Sequence, residues 1–235
     1  MGWFFKGRAA WLWLPTLWLA ALAGWVRLWP VAMLFDSLPD RLLRAIGAGE
    51  AIGVVCAAAS VWLLAPRMAT WELSAPSRPR RLAAACLACV LAAYACLGPL
   101  ARWLVWALPD GIVPRTADGM TARSQFIEPP TVLGAFLEPR ALDVAAVAAG
   151  LALGVGLLGR VAGTLAGAAW YLAVVIAQGS AALCRISPYG VCAGTDQPDQ
   201  GAGTALAAVA TLSAAAVATW WRTGAVSPVG ALRGL

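Results

Sequence analysis

Apolar residues run through this chain in six long blocks, separated by polar connections in which arginine, proline and the acidic residues collect. The blocks are Ala9–Val26, Gly47–Ala65, Leu82–Ala107, Ala141–Gly159, Val161–Leu183 and Ala202–Trp221. Crossing a hydrocarbon core of roughly 30 Å takes about 20 residues of helix, and the blocks are close to that length or beyond it. Ala141–Gly159 and Ala202–Trp221 are apolar on every side, whereas a helix on a soluble domain keeps a polar face. The pattern predicts an all-α fold, a polytopic membrane helix bundle of six transmembrane helices forming a single domain over residues 1–235.

The connections add detail. Within Arg27–Ile46, Val31, Leu34, Phe35, Leu38, Leu42 and Leu43 recur at helical spacing opposite Asp36, Asp40, Arg41 and Arg44. This reads either as a short amphipathic helix lying in the interface or as a plain connecting loop. Residues 108–140 form the largest polar insertion, an external loop in which Pro109, Pro114, Pro129, Pro130 and Pro139 preclude continuous helix, with one short helix expected around Thr131–Leu137. Lys6 and Arg8 before the first block also suit a signal peptide, but a run holding Trp11, Trp13, Trp18 and Trp25 is longer than a usual leader core and reads as a retained helix. Arg78, Arg80 and Arg81 crowd the start of the third block. Together with Lys6 and Arg8, they place both termini in the cytoplasm.

Composition agrees. The chain is 61% hydrophobic and 12% charged, against about 25% charged in ordinary globular domains. Its mean hydropathy is +0.76. The net charge of +6 comes from residues flanking apolar blocks, with no basic-aromatic groove, so nucleic acid is not an expected partner.

Candidate chemistry is sparse. With no histidine in the chain, Ser-His-Asp and Cys-His arrangements and His-ligated metals are excluded, and the single lysine, Lys6, stands in no phosphate-binding loop. Neither a cofactor nor a metal site is expected, and the chain is not expected to be an enzyme. The acids of the external loop are spread without ligand spacing. Glu50 stands near the start of the second block, either inside the bilayer facing a partner or cavity, or one turn further out at the headgroups. Cys86 and Cys89 match CxxC in letters but behave as small apolar residues in a helix. Cys184 and Cys192 bracket a short external loop and are either a disulfide or two free thiols. Gly150 and Gly154, like Gly163 and Gly167, are GxxxG pairs, a packing signal. Trp3, Trp29, Trp103, Trp106, Trp220 and Trp221 near block ends fit an interfacial belt.

The stretch Trp71-Glu72-Leu-Ser-Ala-Pro-Ser-Arg78-Pro-Arg-Arg81 links the second and third blocks through a short, stiff connection suited to docking another protein. In this connection and in its layout, the chain resembles the permease subunits of ABC-2-type exporters in GC-rich bacteria. The resemblance implies a multi-pass protein of the bacterial inner membrane that moves an amphipathic or lipid-like substrate. Arg67, Trp71, Glu72, Arg78, Arg80 and Arg81 would then lie at a coupling contact with a cytoplasmic ATP-binding subunit. It also implies a second membrane subunit, in a homo- or heterodimer, and membrane lipids as partners. The alternative is a non-transporting accessory or assembly subunit of a larger membrane complex, its work done by helix faces.

Overall fold

A computed structural model describes residues 10–28, 32–36, 43–65, 78–109, 132–178 and 201–223. Among the described residues, α1 (Ala10–Leu28) leads to the strands β1 (Ala32–Asp36) and β2 (Leu43–Gly47), and then come α2 (Ala48–Leu64), α3 (Arg78–Ala95) and α4 (Leu97–Ala107). The remaining helices are α5 (Val132–Leu158), α6 (Arg160–Gln178) and α7 (Gly201–Thr223). Helix therefore dominates as the apolar blocks predict, but the blocks and the helices differ in ways that matter.

The amphipathic helix expected within Arg27–Ile46 is instead an antiparallel hairpin, in register from Ala32 opposite Gly47 to Asp36 opposite Leu43. Pro30 and Pro39 remove donors and disfavour helical backbone in the residues before them, which leaves the segments on either side of Pro39 to pair as strands. The third block is not one helix. It divides at Cys96 because Pro99 cannot donate to the carbonyl of Ala95, although Cys96 N–H still reaches Ala92 O at 3.0 Å and Leu100 N–H reaches Cys96 O at 3.0 Å. The fourth begins earlier than expected, since α5 takes in the last nine residues of the presumed external loop, Val132–Arg140.

These shifts bear on length. Among the described residues, no helix is long and apolar enough to cross a membrane. The 17 residues of α2 rise about 25 Å, and α3 opens with Arg78, Arg80 and Arg81 and is followed by an α4 of only 11 residues. In α5 the acids and Arg140 occupy the first half, leaving Val144–Leu158, about 22 Å of uncharged helix. α1 is bounded by Arg27 and α6 by Arg160, and α7 is diluted by Thr204, Thr211, Ser213, Thr219 and Arg222. The expectation of six transmembrane helices with both termini cytoplasmic, and with it the multi-pass inner-membrane location, is corrected by this finding.

The core is organised around α5, which packs on α2, α3, α4, α6 and α7. Val144 through Ala149 are all buried, as befits a helix that is apolar on every side. Around it lie Leu64, Leu87, Tyr94, Leu97 and Trp220, while Ala21, Leu22 and Trp25 seat α1. Two indoles tie helices together. Trp220 Nε1 donates to Ala152 O at 2.7 Å and Trp18 Nε1 donates to Ala93 O at 2.9 Å, giving each partly or wholly buried N–H the acceptor it needs.

Candidate functional site

The α5–α6 hairpin turns on one residue. Gly159 adopts φ 86°, which a residue with a Cβ rarely tolerates, and it lets α6 fold straight back along α5. Gly154 of the first GxxxG pair then meets Gly163 of the second. A Cβ on Gly154 would stand 2.9 Å from Gly163 O, and one on Gly167 would stand 3.0 Å from Leu151 Cα. Close approach of two backbones is what such spacing permits.

This docking uses up the glycine side of α6 and leaves its other sides bare. Val161, Leu165, Ala168 and Leu172 follow one another at helical spacing and are all exposed, as is Trp170. Leu157 and Leu158 extend the apolar surface across the turn, and Leu206 and Trp221 on α7, Val55 on α2 and Leu12, Trp13 and Leu19 on α1 are exposed as well.

One end of the bundle gathers guanidinium and indole groups. Arg160, the first residue of α6, stacks over the Trp62 ring at 3.9 Å, near the end of α2. Arg81, in the first turn of α3, lies 5.4 Å from the Trp221 ring in the last turn of α7. Arg80 and Arg222 are beside them in sequence, and Thr223 Oγ1 stands 3.5 Å from Gly156 O, drawing α7 and α5 together there. Helix order puts the buried acids Glu50 and Asp143 elsewhere. Glu50 is in the first turn of α2, and Asp143 is fifteen residues before the end of α5.

Ser60 and Tyr94 form a buried side-chain pair between α2 and α3. Ser60 Oγ donates to Cys56 O at 2.8 Å, which leaves Tyr94 OH to donate to Ser60 Oγ at 3.1 Å. Burial pushes the Tyr94 phenol up to about 12, against its hydrogen bond with Ser60, which lowers it. Burial likewise raises the Cys56 thiol.

Of the residues expected from sequence, Glu50 is buried at the N-terminal turn of α2, where the helix dipole favours a carboxylate. Arg80 and Arg81 belong to the arginine end, and Arg78 opens α3. Arg67, Trp71, Glu72, Cys184 and Cys192 lie outside the described residues, so the docking connection and the disulfide are not seen. Neither Cys86 nor Cys89 is in a disulfide. Among the described residues, no three acids or cysteines stand close enough to hold a metal ion. Sequence reading missed Trp62, Ser60 and Tyr94. Their partners are distant in the chain, and only the packing of α2 on α3 and α6 reveals them. It also misassigned Trp220, which is a fully buried anchor and no part of an interfacial belt.

No protein-family model, no curated protein and no solved structure matches this chain. The resemblance to ABC-2 permease subunits rested on the six-span layout and on the Trp71–Arg81 connection; the layout is overturned, and the resemblance and the transport function it implied fall with it.

Proposed function

We propose that this chain is a non-catalytic helical subunit that works by presenting apolar helix faces, that of α6 foremost, to a hydrophobic partner. The observation that carries this reading is the bare stripe of α6, where Val161 is 66% exposed, Leu165 68% and Leu172 58%. Burying such side chains is worth on the order of 1–2 kcal/mol each, and contiguous exposed apolar patches mark interaction sites. The absence of histidine and of any phosphate-binding loop supports a binding role over a catalytic one.

The test is the double substitution Leu165→Glu with Leu172→Glu in the full chain. On transfer from detergent micelles to plain buffer, the parent chain self-associates in light scattering, because its stripe lacks a partner. The double variant, with unchanged circular dichroism, shows markedly less association. Equal association of the two would refute the proposal.

A further inference from the structure

We draw no further inference here: the strongest candidate, the exposed apolar face of α6 formed by Val161, Leu165 and Leu172, belongs to the site already described, and nothing in the structure shows what covers it.

Discussion

Substituting Gly163 by alanine tests whether backbone contact really fixes α6 on α5. A methyl built on Gly163 would fall on the main chain of the facing helix, against Val155 N and Cα and the carbonyl carbon of Gly154. No side chain can rotate out of the way, so the helices must part. Overpacking of this kind costs about 1–3 kcal/mol, and contact with backbone places it at the upper end. Alanine returns about 1 kcal/mol of helix propensity, leaving a net loss of about 2 kcal/mol. For a chain of this size that lowers Tm by about 4–8 °C. Gly150 is the internal control. Its added methyl meets only the edge of Trp170, at 3.1 Å from Cδ1 and Nε1, and that exposed ring can give way. Gly150→Ala is expected to leave Tm unchanged or raise it by about 2–4 °C. Thermal melts of the three full-length proteins, followed by circular dichroism in one buffer, make the comparison. If Gly163→Ala melts at or above the parent, or if Gly150→Ala falls as far, the close pairing of α5 and α6 is wrong.

The Ser60–Tyr94 bond should behave as a coupled pair. Ser60→Ala or Tyr94→Phe alone costs about 1–2 kcal/mol, and the double variant costs less than the sum in urea unfolding. Because the folded Tyr94 phenol lies near 12 and the unfolded one near 10, the folded state holds its proton longer. The stability this confers is complete below pH 10 and is lost as pH rises from about 10 to 12, and Tyr94→Phe should flatten that fall in stability measured against pH. Trp220→Ala removes a fully buried ring and its bond to Ala152, at a cost of about 3–5 kcal/mol by the same assay. Arg160→Gln, which breaks the stack on Trp62, should cost about 1 kcal/mol, while Arg160→Lys should recover part of it.

Helical segments were readable from the chain because alanine and leucine dominate the blocks and glycine and proline punctuate them. The two GxxxG pairs were visible in advance as a packing signal, and the structure brings Gly154 of one against Gly163 of the other. The break at Cys96 was also legible, since Gly98-Pro99 stands inside the third block, but apolarity alone hid it. Apolarity says nothing about where backbone hydrogen bonds fail. The hairpin was missed because Leu34, Phe35, Leu42 and Leu43 satisfy a helical period as well as a paired one, and only the prolines argue between them. The error over spans came from counting apolar letters alone, since the break at Cys96 divides the third block and Asp143 stands inside the fourth. At the candidate site, Arg80 and Arg81 could be picked out as a local charge cluster. Arg160 could not, because its meaning depends on Trp62, which the chain brings near only through the packing of α6 beside α2.

The packing of α5 explains why α6 is left bare. A central helix made of alanine and glycine can take several neighbours, since each approaches closely, but each close contact rests on small residues. The side of α6 that meets α5 is therefore Gly163 and Gly167, and its large residues, Val161, Leu165 and Leu172, are displaced outward. Had α6 docked through those leucines, the helices would stand further apart and the glycine side would face out, leaving little for a partner to hold. The arrangement observed contributes less burial within the chain and retains more apolar surface outside it. A selection for stability alone would favour the opposite choice. The distribution of large and small residues around α6 thus points to a requirement outside the chain, and reversing it, with Leu165→Ala and Leu172→Ala, should leave Tm within a few degrees of the parent while weakening partner binding. A large loss of Tm would show that those side chains serve the fold and would remove the reason for seeking a partner on that face.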